Sequence, residues 1–135
     1  MKTYNTTEEL KADLNGDRDL IVVDDVTITF ELPAGIVRNI DCWNIDCQNI
    51  CCWNIDCWNI DCWNIYCGNI KCQNIKCQNI GCWNIDCWNI DYYASVICYN
   101  SCTCHSFKAR RKKALPIQCL GGVLTVDGKE QDAIS

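Results

Sequence analysis

Between Arg38 and Asp91 the chain repeats one five-residue unit, Cys-Trp-Asn-Ile-Asp, almost without error. Asn-Ile recurs eleven times, from Asn39-Ile40 to Asn89-Ile90, always five residues apart, and Cys keeps the same step ten times from Cys42 to Cys87. A strict short period over this length dictates architecture before any local propensity does, because every unit must meet its neighbours in the same way. Within the unit, Asn never varies and Ile and Cys hold throughout. The slot after Cys takes Trp, Gln or Gly, and the slot after Ile takes Asp, Lys, Tyr, Gly or Cys. Constant apolar positions are those that must fit a fixed space, so Ile and Cys are assigned to the interior and the variable slots to solvent. Ile-Asp-Cys then reads in-out-in, the alternation of a strand with one buried face. Trp-Asn turns the chain, with Asn as a corner residue that bonds nearby backbone and tolerates left-handed dihedrals. A helix is excluded: five residues turn a helix by about 500°, so the Ile positions would make no stripe.

One such coil cannot bury its own face, but stacked coils can, at about 4.8 Å per layer. The expectation is an all-β chain folded as a single β-solenoid. Four units give a coil of twenty residues and a square section; three give fifteen and a triangle. The slot after Ile reads Asp-Asp-Cys, Asp-Asp-Tyr, Lys-Lys-Gly, Asp-Asp, which favours triplets. The slot after Cys favours four, which would stack Trp43, Trp63 and Trp83 in one column. Twenty puts Asp41 on Asp61, Asp56 on Lys76 and Lys71 on Asp91; fifteen gives two Asp–Asp pairs and four Asp–Lys pairs.

The run over residues 38–91 resembles the pentapeptide-repeat family, whose units carry a small residue, Asn or Asp, and then a large aliphatic. The resemblance implies a right-handed quadrilateral solenoid of twenty residues per coil, with the triangular coil of fifteen as the alternative. In that family the small inward residue lies two before the aliphatic, where this chain has Trp43, Gln48 and Trp53; here the small residue lies two after Ile instead. A bactofilin-type β-helix is a second likeness.

The flanks read as covers for the open ends of the stack, which would otherwise template aggregation. Residues 1–37 form the N-terminal cap, with a helix over 6–14 and strands over 19–32. Thr6 and Glu9 are spaced as a capping box, Leu10 and Leu14 make an apolar stripe, and Asn15-Gly16-Asp17 ends the helix. Residues 92–135 continue as irregular coils, a basic loop at 108–113, a final strand at 123–126, a turn at Asp127-Gly128 and a tail that frays from Lys129. Net charge is −5 over residues 1–37, −3 over 38–91 and +3 over 92–135.

The first residues lack the apolar run of an export signal, and no stretch approaches the roughly 18 apolar residues of a membrane span. The chain therefore reads as cytoplasmic, with no membrane partner. In a reducing compartment the fifteen Cys are buried small hydrophobes rather than a disulfide framework. Outside the strict repeat, Cys98, Cys102, Cys104, His105 and Cys119 are candidates for a Cys₃His zinc site, though without paired C-x₂-C spacing. His105 is the only histidine, so any Cys–His pair must include it, and on a strand the adjacent Cys104 points to the other face; no Gly-rich phosphate loop is present, and no catalytic residue and no cofactor are expected.

Two surface features remain. Trp43, Trp53, Trp58, Trp63, Trp83 and Trp88 all occupy an outward slot and are candidates for an interface. Lys108, Arg110, Arg111, Lys112 and Lys113 are candidates for anion contact, although the acidity of the whole chain works against nucleic acid. The function expected is a non-enzymatic structural or protein-interaction solenoid of bacterial or phage type, with an unknown protein partner or self-association. The family resemblance adds an alternative, a DNA mimic acting on a DNA-binding enzyme such as gyrase. Thiol-based metal binding is the third reading.

Overall fold

A computed structural model describes residues 1–131. The repeat forms β4 (Asn39–Asp41), β5 (Asn44–Asp56), β6 (Asn59–Lys71), β7 (Asn74–Asp86) and β8 (Asn89–Cys104). They pair in parallel, each residue on the one fifteen positions later: Asn44 on Asn59, Ile45 on Ile60, Cys47 on Cys62, Ile50 on Ile65. The same step joins β6 to β7. Three units therefore make a coil, and the twenty-residue quadrilateral implied by the family resemblance gives way to the triangular alternative. At fifteen residues Lys71 lies between Asp56 and Asp86, and Lys76 between Asp61 and Asp91, so each Lys has an acid in the coil on either side. Trp43, Trp63 and Trp83 fall in separate columns.

Every repeat Ile and every in-register repeat Cys is buried, and all six Trp are exposed. Ile fills the interior from the middle of each face and Cys from each corner. The corner thiols turn onto backbone carbonyls two residues ahead, as in Cys47 Sγ to the Asn49 oxygen at 3.2 Å and Cys57 Sγ to the Asn59 oxygen at 3.7 Å. A purely aliphatic side chain of this size would leave that contact unmade. The corner backbone is satisfied from the coil beneath: the amides of Trp58 and Asn59 both donate to the Trp43 carbonyl, at 2.6 and 3.3 Å.

The invariant Asn has a different task from the left-handed corner expected of it. Among the described residues the non-glycine positions with positive φ are Arg18 and Asp127; no Asn is left-handed. From Asn54 onward each repeat Asn side chain instead donates its amide to the side-chain oxygen of the Asn one coil below. One ladder runs Asn54 to Asn39 at 2.6 Å, Asn69 to Asn54 at 2.8 Å and Asn84 to Asn69 at 2.8 Å. A second joins Asn59, Asn74 and Asn89 down to Asn44, and a third joins Asn64 and Asn79 down to Asn49. Asp would set acceptor against acceptor, and Ser is too short to span the layer in both directions.

The ladders start on carboxylates and end on hydroxyls, joined on Asn84 by the Asn100 amide at 2.8 Å. Asn39 donates to Asp19 at 2.7 Å, Asn44 to Asp25 at 2.8 Å and Asn49 to Glu31 at 2.8 Å. A carboxylate only accepts, so the first amide must donate and every later one follows suit. At the far ends Ser101, Ser95 and Ser106 donate to Asn84, Asn79 and Asn89. The first coil is thus built from the region before the repeat. There β2 (Asp19–Ile21) pairs with β4, β3 (Val26–Ile28) pairs with β5, and Leu32 bridges to Ile50.

A strand not foreseen, β1 (Lys2–Tyr4), adds to β3 and forms the outer edge, with Tyr4 buried and its hydroxyl donating to Asp13 at 2.8 Å. Helix α1 (Thr7–Ala12) starts on Thr6, whose side chain accepts from the Glu9 amide at 3.2 Å; its Leu10 is buried. After Asp91 two register shifts absorb one extra residue each, so that Ser95 lies over Asn79 and Ser101 over Asn84 while the interior columns continue. β9 (Ser106–Ala109), β10 (Gln118–Cys119) and β11 (Leu124–Val126) cover β8. The Asp127-Gly128 turn leads into β12 (Lys129–Gln131), antiparallel to β11. Lys129–Gln131 is therefore paired rather than frayed, and the rest of the tail lies outside the described residues.

If the ladder is what fixes Asn, Asn64→Asp should destabilise the fold by about 1–2 kcal/mol at pH 7, the cost of a half-buried acceptor facing another acceptor. The new carboxyl would have its folded-state pKa raised, so the loss is present above that pKa. It shrinks as the pH falls and the protonated acid can donate to Asn49. Urea denaturation of mutant and parent at pH 7 and near pH 4 measures both; an equal gap at the two values would remove the ladder from the account.

Candidate functional site: one uncharged aromatic face

With three units per coil, the slot after Ile sorts into three columns, one per face. The first holds Asp41, Asp56, Lys71 and Asp86; the second holds Asp46, Asp61, Lys76 and Asp91. The third holds Cys51, Tyr66, Gly81 and Ile97, with no charge at all. The same sorting applies to the corners. Trp43, Trp58, Gln73 and Trp88 share one corner; the rings of Trp43 and Trp58 stack with centroids 5.5 Å apart and planes 4° from parallel. Gln48, Trp63 and Gln78 share the second. The third corner, bordering the uncharged face, holds Trp53, Gly68 and Trp83, with Tyr99 against Trp83 at 5.7 Å and Arg38 over Trp53 at 5.9 Å.

Face and corner together enclose an open trough of about 550 Å³. Its floor is made by the two glycines that break the repeat. A Cβ on Gly68 would come within 2.7 Å of the Trp53 carbonyl oxygen, and one on Gly81 within 3.1 Å of the Tyr66 ring. The rim is aromatic and open: Trp53 is 65% exposed, Tyr66 56%, Trp83 60% and Tyr99 52%. The rim and floor are apolar, with a few polar groups among them, here Asn79, Ser95 and the Cys51 thiol. Trp53 and Trp83 were singled out by sequence. Tyr66, Tyr99, Gly68 and Gly81 were not; the signal for Tyr66, Gly68 and Gly81 is that they break the repeat at positions which the fifteen-residue step brings together, while Tyr99 lies beyond the repeat and reaches Trp83 only through the first register shift in β8. Trp43, Trp58, Trp63 and Trp88 stand at the other two corners, apart from the trough.

The C-terminal thiols and the histidine part company. Cys98, Cys102, Cys104 and Cys119 are buried in the last coils. His105 lies outside, its ring 4.5 Å from that of Trp88 and its Nδ1 3.3 Å from the Asp127 carboxylate. Among the described residues, no three His, Cys, Asp or Glu side chains are placed to hold a metal ion. All fifteen cysteines are free thiols. Burial pushes Cys47 up to about 11 and Cys52 and Cys77 up to about 12, and it also raises Cys119. These groups are held neutral, the opposite of what a soft metal or a nucleophile requires.

The basic run is partly engaged. Lys108 stands over Asp91. Arg110 pairs with Asp91 at 2.7 Å and donates to the Cys77 carbonyl at 3.0 Å. Arg111 lies over the Tyr93 ring at 5.4 Å, which leaves Lys112 and Lys113 projecting. On the acidic faces Lys71 and Lys76 interrupt the carboxylate columns, where an imitation of a phosphate backbone calls for an unbroken run. No helix among the described residues is long and apolar enough to cross a membrane.

The thiols allow a direct check. At neutral to mildly alkaline pH a thiol reagent should modify one cysteine of the folded protein, the partly exposed Cys51, and the remaining fourteen only after denaturant is added. Stability should also fall as pH rises. Raised folded-state values mean that the stabilisation is whole below the unfolded thiol value near 9 and is lost progressively as pH climbs towards 11–12. Fast labelling of many thiols in the native state, or a flat stability profile above pH 9, would contradict the packed interior.

No protein-family model, curated protein or solved structure matches the chain. The likeness to pentapeptide-repeat proteins therefore rests on the five-residue period, and the coil built from that period has three units where the likeness implied four.

Proposed function

We propose that the protein is a non-enzymatic interaction module. A rigid solenoid holds one uncharged aromatic face towards a protein partner, while the two Asp/Lys faces keep the molecule dispersed in water. The observation that supports this is the segregation by face. Two columns after Ile carry only Asp and Lys over residues 41–91, and the third carries only Cys51, Tyr66 and Gly81. Interfaces are enriched in aromatic residues and depleted of charge at their centre, which matches the third face and neither of the others. Four exposed aromatic side chains around a single trough exceed the scattered apolar residues normal on a monomer's surface. The neutral buried thiols support a packing role for cysteine over metal chemistry.

The test is a comparison of faces. Tyr66→Asp places a charge in the trough; Trp43→Ser removes an indole from a different corner. Both should melt within a few degrees of the parent, since both side chains are exposed. Proteins cross-linked to the parent in extracts of the native host should be lost with Tyr66→Asp and retained with Trp43→Ser. Loss with Trp43→Ser and retention with Tyr66→Asp would move the interface to another face and overturn the reading.

A further inference from the structure

The trough holds a defined notch. In the corner column beside it Trp53 lies one coil below Gly68, and Trp83 one coil above. Two layers separate the indoles, about 9.6 Å at strand spacing. Where the same slot holds Trp in adjacent coils, the rings stack directly, as Trp43 does on Trp58 at 5.5 Å. At Gly68 the middle ring of such a stack is missing, and the Trp53 carbonyl leaves no room for a Cβ there. A planar ring placed midway would sit about 4.8 Å from each indole, within the range of stacked aromatic pairs. Tyr66 and Gly81 bound the notch on the side of the uncharged face.

Area decides what kind of occupant this is. Fully buried aromatic side chains contribute about 150–250 Å² each, so four of them, half to two-thirds exposed, offer on the order of 400–500 Å². A stable interface takes roughly 800 Å² per partner. The face is therefore too small to hold a second copy by area alone, and binding must come from one anchor in a pocket. An enclosed small-molecule site would bury most of its ligand, whereas this trough is open along its rim. The absence of charge on the floor disfavours Lys, Arg, Asp or Glu as the anchor, since each would lose hydration without a partner.

We infer that the notch over Gly68 is an aromatic clamp: it takes one Trp or Tyr side chain of a partner protein between the indoles of Trp53 and Trp83. This rests on the interaction-module reading and names the residue type that the trough selects.

The probe is N-acetyl-tryptophanamide, with N-acetyl-leucinamide as the non-planar control, titrated into the full-length protein by NMR. The tryptophan probe should bind saturably, on the order of millimolar, with shifts confined to the trough, and several-fold more tightly than the leucine one. Trp53→Ser and Trp83→Ser each remove one wall and should weaken it about tenfold, while Trp43→Ser leaves it unchanged. Far-UV circular dichroism of each variant confirms the fold before titration. Equal binding of the two probes, or equal affinity in all three variants, overturns the clamp. If the probe binds as described while cross-linked partners ignore Tyr66→Asp, the clamp stands and the protein-partner reading falls. If Tyr66→Asp abolishes capture but the probe does not bind, the clamp alone falls.

Discussion

Everything in this fold depends on a primary amide that has to give and receive at once. An Asn side chain between two coils donates downward and accepts from above, and no other residue of its length does both without charge. That requirement repeats in three columns and holds the layers in one register. Aligned amides in such a chain polarise one another, and the carboxylates of Asp19, Asp25 and Glu31 sit at the end where N–H groups point outward. The arrangement resembles the favourable placing of acids at a helix N-terminus, transferred to a stack of side chains.

The interior follows from the same register. Ile over Ile and Cys over Cys give columns of equal volume, so each coil meets an identical neighbour and the section neither widens nor tapers. Cysteine suits the corner because it is small, apolar and still able to reach a carbonyl two residues on. Its usual chemistry is suppressed by the packing that makes it useful, since burial among isoleucines keeps the thiol neutral. The surface is then free to vary, and it varies by face.

The period made inside and outside legible in the sequence, because alternation over Ile-Asp-Cys has one buried reading. It could not fix coil size: five divides fifteen and twenty alike, and Asn, Ile and Cys stack on themselves either way. Only the imperfect slots break that tie. Their triplets pointed to fifteen, while the tryptophan slots and the family likeness pointed to twenty. The first coil was harder to see. Asp19-Leu20, Asp25-Val26 and Glu31-Leu32 repeat an acid–aliphatic pair at six-residue spacing, so a search at five passes over them. Gly68 was visible as an exception, but its meaning needs Trp53 below and Trp83 above, and those neighbours exist only once the step is fifteen.

The two shifts in β8 show how the molecule closes without breaking its columns: single added residues are bulged outward and the side chains above resume their places. A whole added pentad has no such outlet. Inserted at one corner, it would carry all later chain one third of the way round the axis. Asp would then follow Tyr up the same wall, and the indoles on either side of Gly68 would look in different directions. Keeping the aromatic and charged columns in line therefore requires additions of complete fifteen-residue turns, whereas the interior would accept any whole unit.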